Sequence, residues 1–376
     1  MRAINLLFAT LLAVLLYDFA FIPSDNESVT HYIGDVTSVN NERVTIIGTG
    51  KLGDQKLTVE VNGEPKEMFN LLTGALEYDE FYYKGDRIVV AEQNGRFHAV
   101  ALFRLPVLIG LLVLFAIGLL AYARKVGFYS LLSFVGSVGI IFGIMIPGLL
   151  AGISPILITS VTVFVLSSMI ILSVAGWTTK GQAALMGTTV GLFVTTLLCV
   201  IVGKLLHLDG MTQPLAQPLL FENSMKLDMV GILYAAILVG ASGAAMDVAM
   251  EMAATMEEIK LNSPDISRNS LLKSGLRVGN AVIGTMTTTL LLAYAGGFLT
   301  LLMLFATRGN SLMQILNMKL VASEVCRTLI GSLALIIVAP VTAWIASYML
   351  EKKIVLTMRK RQEKGSAKNL IHDKHL

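Results

Sequence analysis

The chain has few residues of the kinds that build metal and redox sites. It contains two cysteines and five histidines among 376 residues. Both cysteines, Cys199 and Cys326, lie in apolar runs, so the disulfide framework of a small secreted domain is excluded. The histidines are scattered and lack the spacing of metal ligands. A Walker-type glycine loop, a GxSxG motif and an HExxH motif are also missing. We therefore expect no metal site, no cofactor and no enzymatic activity.

Charge is scarce as well. Charged residues make up 15% of the chain and hydrophobic residues 55%, with a mean hydropathy of +0.71. Apolar runs of about 20 residues can cross a bilayer core of roughly 30 Å. The sequence therefore predicts a polytopic α-helical membrane protein, with the lipid bilayer as a partner. About eight transmembrane helices are expected, at 3–22, 104–123, 128–150, 154–176, 183–206, 228–250, 278–304 and 325–350.

The first apolar run has two interpretations. Residues 1–22 resemble a signal peptide, with Arg2 before an apolar stretch. A small-x-small cleavage site does not follow, so we interpret this run as an uncleaved N-terminal transmembrane anchor, with cleavage as the alternative.

Lysine and arginine predict the orientation, because positively charged loops stay in the cytoplasm. Lysines and arginines lie in the turn at Arg124 and Lys125, in the loop at 251–277 and in the tail at 351–376. We expect the protein in the cell membrane, with both termini in the cytoplasm and residues 23–103 outside. The basic cytoplasmic tail is expected to bind anionic lipid headgroups, and nucleic acid is not an expected partner.

Residues 23–103 differ in character from the rest of the chain. They alternate polar and β-branched residues and contain turn signals at Asn40-Asn41 and Asn94-Gly95. This pattern predicts a small extracytoplasmic all-β domain of five or six strands, as a partly closed barrel. Two roles remain open for it, a docking surface for a partner or ligand and a rigid cap on the anchor helix. A seven-helix transmembrane domain is expected to follow at 104–350.

The run GASGAAMDVAMEMAATMEEI at 240–259 places carboxylates at membrane depth. An ionisable group there costs at least ~2.5–3.5 kcal/mol on insertion scales, so it usually faces a cavity or a partner. At 100° per residue, Asp247 and Glu251 share one helix face with Gly240 and Gly243. Because small residues let another helix approach closely, we expect this face to be a packing surface.

Two later runs carry matching polar groups. Glu324 and Arg327 are three residues apart, a pairing distance on a helix. The span that begins near 277 places six residues on or near one line: Arg277, Gly279, Asn280, Gly284, Thr287 and Thr288. We expect Gly279 and Gly284 to serve helix packing. Thr285 and Thr289 point elsewhere, and we expect them to bond carbonyl groups of their own helix.

Two interpretations of Asp247 remain open. In the first, Asp247 is the centre of a proton or cation relay with Asn280, Thr287 and Thr288. The secondary relay candidates are Glu251, Arg277, Glu324 and Arg327. In the second, Asp247 bonds Thr287 or Asn280 and only fixes the helix register. The glutamates nearer the cytoplasm are interpreted mainly as solvated or as paired with Lys260, Lys273 or Arg277; they are Glu251, Glu257 and Glu258.

Three blocks in this order resemble the YibE/F-like integral membrane proteins: GAAMDVAMEMAATMEEI, SGLRVGNAVIGTMTTTLLLAYAGG and ILNMKLVASEVCRTLIGSLALIIVAPVTAWIA. The resemblance covers most of 100–350 and implies a multi-pass membrane fold, without a settled activity. The family usually has Thr-Asn-Thr at 287–289, and often Ser or Ala at Glu251. The Gly-x-x-x-Asp pattern is also similar to resistance-nodulation-division and Sec accessory transporters, which implies a proton-carrying role for Asp247.

Two functions follow as hypotheses. The first is a proton- or cation-coupled secondary transporter or exporter of unknown substrate. The second is a non-transporting membrane subunit that assembles with a paralogue and presents the β domain outside. In either case we expect a homo-oligomer or a hetero-oligomer with a paralogous membrane protein. An intramembrane enzyme ranks below both, because no catalytic motif is found.

Overall fold

The computed structural model describes residues 29–75, 79–222, 227–307, 309 and 311–372, with side chains up to Glu351 except that of Glu222. The predicted anchor at 1–22 lies outside these residues, and so do the side chains of the basic tail. The described residues form two compact units that divide at Arg124. The boundary predicted after residue 103 coincides instead with the start of the first described helix.

The N-terminal unit contains one antiparallel sheet. Its strands are β1 (Thr30–Ile47), β2 (Gly50–Val61), β3 (Glu64–Thr73), β4 (Arg87–Gln93) and β5 (Arg96–Leu102). Their order is β3-β2-β1-β4-β5, and the edge strands β3 and β5 approach each other. The sheet therefore curls into a half-barrel with the connectivity of a five-stranded OB-type barrel. This confirms the predicted partly closed barrel and gives it five strands.

One turn prediction in this unit is wrong. Asn94-Gly95 forms the β4–β5 turn with positive φ at both residues, as predicted. Asn40 and Asn41 do not form a turn, because β1 continues through them with a register irregularity after Asn40. A β-bulge accommodates the extra residues and bends the strand. The hairpin instead turns at 48–49.

The barrel interior follows the period of two expected of strands. Leu57, Val59 and Val61 on β2 are buried against Ile88 and Val90 on β4. Fully buried Gln55 is the polar exception. Its amide donates to the Tyr82 carbonyl at 2.8 Å and its carbonyl accepts from the Tyr82 N–H at 3.1 Å. These bonds satisfy the buried amide and attach the loop before β4 to the sheet.

The described remainder of the chain is helical. Its helices are α1 (Leu105–Ile140), α2 (Ile146–Leu150), α3 (Pro155–Ala175), α4 (Thr179–Leu205), α5 (Ala216–Glu222), α6 (Met229–Asn262), α7 (Arg268–Gly297), α8 (Leu299–Thr307), α9 (Leu312–Asn317) and α10 (Lys319–His372). A π-helical turn, Ile141–Met145, joins α1 to α2. The break at 151–154 between α2 and α3 lies where Pro147-Gly148 and Ser154-Pro155 interrupt the apolar runs.

Six helices in the described part of the chain are long and apolar enough to cross a membrane. They are Leu105–Leu150, Pro155–Ala175, Thr179–Leu205, Met229–Asn262, Arg268–Gly297 and Lys319–Glu351. The first has 46 residues, about 69 Å at 1.5 Å per residue and about twice a bilayer core. It contains the non-helical residue Arg124, with φ 45° and ψ −114°, between the predicted spans 104–123 and 128–150. A membrane protein is supported, whereas eight spans and their orientation stay predictions.

Helices α6 and α10 form the centre of the helical unit. In each of them, 61% of the most apolar 18-residue stretch is buried inside the protein, against 11% in α7. Helix α4 packs closely on α10 through Gly187 and Gly191, where an added Cβ would overlap Thr342 and Val338. The Gly-x-x-x-Gly spacing permits this close backbone approach. The packing leaves one side of α6 and most of α7 uncovered.

Candidate functional site

The uncovered side of α6 is a narrow polar stripe. From Met229 to Glu258, the exposed residues of this helix are Gly240, Gly243, Asp247, Glu251 and Glu258. The sequence-predicted face therefore exists, and its glycines and acids lie on the surface of the chain. A large apolar side chain is absent from it.

Helix α4 shows what a lipid-facing surface of this protein looks like. Its exposed residues include Met186, Val190, Phe193, Leu197 and Ile201. Such side chains suit the hydrocarbon interior of a bilayer, whereas a carboxylate between glycines does not. The stripe on α6 thus differs in chemistry from the apolar surface two helices away.

Helix α7 runs antiparallel to α6 and places its polar residues at matching depths. A Cβ on Gly275 would meet Met256 at 2.6 Å, and a Cβ on Gly279 would meet Met252 at 3.2 Å. Gly275 thus pairs with Met256, and Gly279, one turn later on α7, pairs with Met252, one turn earlier on α6. Continuing this antiparallel pairing, Glu251 lies level with Asn280. By the same spacing, Asp247 lies level with Gly284.

The relay candidates on α7 are mostly exposed. Arg277, Asn280, Gly284 and Thr288 lie on the surface. Thr287 is half-buried, and its hydroxyl oxygen has no hydrogen-bond partner among the described residues. A Cβ on Gly243 or Gly284 would meet no atom within 4 Å. These two glycines therefore pack against no other helix that the structure describes, unlike Gly279.

Asp247 forms no hydrogen bond and no ion pair with any residue that the structure describes. The proposed bond from Asp247 to Thr287 or Asn280 is therefore not observed. The Thr285 hydroxyl donates to the Val282 carbonyl at 3.0 Å. The Thr289 hydroxyl donates to the Thr285 carbonyl at 3.1 Å. The prediction that these two threonines bond their own helix is confirmed.

Glu257 and Glu258, near the end of α6, have partners other than those predicted. Glu257 pairs with Lys180 at the start of α4, at 3.3 Å. Glu258 accepts a hydrogen bond from Asn262 at 3.0 Å. Lys260 is buried and donates to the carbonyls of Pro264 and Ile266. Since the loop after α6 folds back over Lys260, the ammonium group satisfies loop carbonyls instead of a glutamate.

A second polar cluster lies at the start of α10. The predicted pair of Glu324 and Arg327 is confirmed, with Oε2 and Nε 3.3 Å apart and the glutamate side chain 10% exposed. Arg327 also donates to Gln213 at 3.1 Å. Glu324 and Tyr294 line a largely apolar cavity of about 270 Å³ between α7, α8 and α10. Sequence reasoning missed Gln213 and Tyr294, because a loop amide and one tyrosine in an apolar run carry no motif.

Tyr294 lies between the cavity and the α6 stripe. The Tyr294 hydroxyl lies 2.8 Å from the position of a Cβ on Gly240. A larger cavity, of about 380 Å³, lies between α3 and α4 and is lined by residues such as Val163, Phe164 and Phe193, without an ionisable group. The ionisable residues thus gather around α6, α7 and α10. In the described residues, no cluster of three or more His, Cys, Asp or Glu side chains could hold a metal ion.

A protein-family model matches most of the helical part of the chain. The family model described as YibE/F-like protein matches residues 111–352. The matched range runs from α1 into α10 and contains Asp247 and Glu324, but not the sheet. No curated protein and no solved structure matches the chain.

Proposed function

The chain belongs to the YibE/F-like family of membrane proteins, and we propose that it is a secondary transporter or exporter that uses Asp247 to couple transport to protons or another cation. The observation that carries the proposal is the carboxyl group of Asp247, which has no hydrogen-bond or ion-pair partner among the described residues and lies on a helix long and apolar enough to cross a membrane. Fixed hydrogen bonds to a carboxylate favour its charged form. A carboxyl group without such bonds can gain and lose a proton more readily.

Polar groups on both sides of Asp247 along α6 support a path for protons or cations through this residue. Toward the cytoplasm, Glu251 lies one helical turn away, about 6 Å along the axis. In the other direction, Gly240 lies about 10 Å away, where the Tyr294 hydroxyl and the cavity with Glu324 begin. Because that cavity is largely apolar and has one carboxylate, we propose it as the place where the transported molecule binds.

The orientation is part of the same proposal. The basic loops and tail favour cytoplasmic termini by the positive-inside rule, with the half-barrel outside the cell membrane. Glu251 and Lys180 then lie at the cytoplasmic side, and Glu324 lies toward the outer side. A proton that moves inward would reach Glu324 before Asp247.

The test is Asp247→Asn in purified protein reconstituted into liposomes. Proton entry under an imposed membrane potential is followed with an entrapped pH-sensitive dye. We expect Asp247→Asn to abolish the protein-dependent flux while membrane abundance and monodispersity stay unchanged. Asp265→Asn, in the exposed loop after α6, is the matched control and should keep the flux. Lower abundance of Asp247→Asn with surviving flux would contradict the relay.

A second candidate function is a non-transporting subunit that assembles with a paralogue and presents the half-barrel outside. The uncovered α6 stripe favours it, because such a surface calls for a polypeptide cover. Co-purification from native membranes tests this function. A chain that always purifies without another polypeptide contradicts assembly with a paralogue.

A further inference from the structure

One end of the half-barrel carries exposed apolar side chains. Strands β1, β3 and β5 run in the same direction, because each of them pairs only with antiparallel neighbours in the order β3-β2-β1-β4-β5. All three therefore finish at the same end of the sheet, and α1 leaves from this end directly after β5. We call the exposed and half-buried residues there the barrel rim: Ile46, Ile47, Lys51, Phe81, Tyr83 and Lys84.

The loop before β4 is fixed to the start of α1. Glu80 in this loop accepts a hydrogen bond from the Leu102 N–H at 2.9 Å. Its second carboxylate oxygen pairs with Arg104 at 2.6 Å, immediately before α1 begins. Because Phe81 and Tyr83 follow Glu80 in the same loop, their rings lie near the point at which the chain enters α1.

The β1–β2 turn is joined to the same loop. Asp79 in the loop accepts a hydrogen bond from the Gly74 N–H at the end of β3, at 2.6 Å. A Cβ on Gly50 would meet the Gly74 carbonyl oxygen at 3.6 Å. The Lys51 ammonium group lies 3.3 Å from the centre of the Phe81 ring. Contacts therefore continue from the start of α1 to the turn after Ile47.

The two ends of the half-barrel differ in chemistry. At the rim, Ile46 is 70% exposed, Ile47 62% and Tyr83 60%. The opposite end is formed by the β2–β3 turn and the β4–β5 turn. The exposed residues at 62–64 and 93–96 are asparagine, glycine, glutamate, glutamine and arginine. The turn nearest α1 is thus apolar, whereas the two turns farthest from it are polar.

We infer that the barrel rim lies in the headgroup and upper acyl region of the bilayer that α1 enters. Helix α1 opens a helical stretch that is long and apolar enough to cross a membrane. Arg104 precedes its first apolar turn, and arginine and aromatic side chains are typical of the boundary between membrane and water. The contacts through Glu80 hold the rim at this level. Two isoleucines on a turn can then bury their side chains among acyl chains.

The charges at the rim favour phospholipid as the partner. Among the described residues, no ion pair joins Lys51 or Lys84 to an acidic group. The acids nearby, Asp79, Glu80 and Asp86, each accept hydrogen bonds within the half-barrel unit. Unpaired ammonium groups beside apolar side chains match lipid phosphates beside acyl chains. This inference depends on α1 entering a membrane, and not on the transport proposed above.

Quenching by lipid tests the inference in the full-length protein. Ile47→Cys, in a Cys199→Ala, Cys326→Ala background, is labelled with bimane and placed in nanodiscs with or without a phospholipid that carries a nitroxide on its headgroup. The nitroxide lipid should lower the bimane fluorescence at least about twofold. Glu60→Cys, at an exposed position near the β2–β3 turn, is the matched control and should lose less than about one tenth of its fluorescence.

A second set of variants tests whether the isoleucines hold the rim in the lipid. Bimane on Tyr83→Cys reports the position of the rim. Adding Ile46→Ser and Ile47→Ser should lower its quenching by the nitroxide lipid by at least about half. Ile33→Ser removes an isoleucine that is 50% exposed on β1 and pairs with Val89 away from the rim. It should leave the quenching unchanged.

Photolabelling keeps the inference testable if these variants fail to fold, because it uses the wild-type protein. A phospholipid with a diazirine close to its headgroup should label the peptide at 43–52, which contains the β1–β2 turn. The peptide at 59–66, which contains the β2–β3 turn, should stay unlabelled.

Three results overturn the inference: equal quenching of Ile47→Cys and Glu60→Cys, equal photolabelling of the two peptides, or an Ile47→Cys label that neither the nitroxide lipid nor aqueous iodide quenches. The last result would show that polypeptide covers the rim. A rim that meets lipid in a protein without Asp247-dependent flux contradicts the proposed function alone. Flux from a protein whose rim does not meet lipid contradicts this inference alone.

Discussion

At the scale of single residues, three aspartates differ in the hydrogen bonds that their carboxylates accept. Asp79 in the half-barrel accepts bonds from the N–H groups of Thr73 and Gly74 and from the Thr73 hydroxyl. Asp228 caps α6 and accepts from the Gly231 N–H at 2.9 Å. Asp247 has no such partner among the described residues. The first two carboxylates hold local structure, whereas the third is the one that we propose for coupling.

Asp79 leads to a prediction of pH dependence. Desolvation acts to raise its pKa, but the hydrogen bonds from Thr73 and Gly74 outweigh it and lower the pKa below the usual value. Because the folded-state pKa is lowered, its stabilisation is present above about pH 4 and is lost as pH falls through the lowered pKa. We expect Asp79→Asn to speed hydrogen exchange at the Thr73 and Gly74 amides several-fold at pH 7, with the difference vanishing in acid.

Hydrogen exchange with mass spectrometry measures this effect in the full-length protein. Asp54→Asn on β2 is the control, because Asp54 makes no hydrogen bond through its side chain in the described structure. Equal protection of the wild type and Asp79→Asn at pH 7 would show that the Asp79 bonds do not hold the turn.

At the scale of elements, the helices divide by what their glycines touch. Gly187 and Gly191 of α4 lie directly against Thr342 and Val338 of α10. Gly243 of α6 and Gly284 of α7 face open space. The same residue type therefore marks a contact within the chain on α4, and the uncovered face on α6 and α7. Whether a glycine is a contact or an exposed position therefore depends on whether another helix packs against it.

Glycines in filled contacts and glycines that face open space should respond differently in stability when they are replaced by alanine. Gly187→Ala or Gly191→Ala forces a methyl group into a filled contact and should cost about 1–3 kcal/mol, seen as a lower Tm in detergent. Gly118→Ala in α1, where a Cβ meets nothing within 4 Å, should be neutral or stabilising by up to about 1 kcal/mol.

A second-site change checks the cause. Adding Val338→Ala to Gly191→Ala removes the methyl group that the new Cβ would overlap, so part of the lost Tm should return. If Val338→Ala lowers the Tm of Gly191→Ala further, the effect does not come from the α4–α10 contact.

At the scale of the whole molecule, the helical unit has two kinds of surface. One kind carries large apolar side chains, as on α4. The other is the exposed stripe of α6, with glycines and carboxylates. A membrane protein needs only the first kind toward lipid. The second kind indicates where the chain meets protein or water, and it also contains the residues proposed for function.

Photolabelling from the lipid phase should distinguish these surfaces. A diazirine-bearing phospholipid should label peptides with Phe193 and Leu197 strongly and the peptide around Gly243 and Asp247 at least about fivefold less. Equal labelling of both regions in the wild type would mean that the α6 stripe meets lipid.

Much of the architecture follows from local pattern. Apolar length predicted the helices between 104 and 350, and alternation with turn residues predicted the half-barrel. Helical periodicity placed Asp247, Glu251, Gly240 and Gly243 on one face. These features depend on spacing along the chain, which a sequence displays directly.

Other features depend on which elements meet. The pair of Lys180 and Glu257, the approach of Tyr294 to Gly240 and the contact of Gly187 with Thr342 join residues far apart in sequence. The sequence predicts a turn at Asn40-Asn41 where the structure has a bulge, because an Asn-Asn pair suits a turn and a bulge equally and only the strand pairing distinguishes them. Each of these features depends on contacts between helices or strands that are distant in sequence, which local residue preferences do not reveal.

The sequence by itself determined that this is a membrane protein with a small β domain and one ionisable stripe at membrane depth, because hydropathy and periodicity are local properties of the chain. Only the tertiary structure decided that the stripe lies uncovered, since that depends on how α3, α4, α7 and α10 surround α6. The same packing left Asp247 without a hydrogen-bond or ion-pair partner among the residues that the structure describes. A helix face can be read from spacing, but what covers it depends on every other helix.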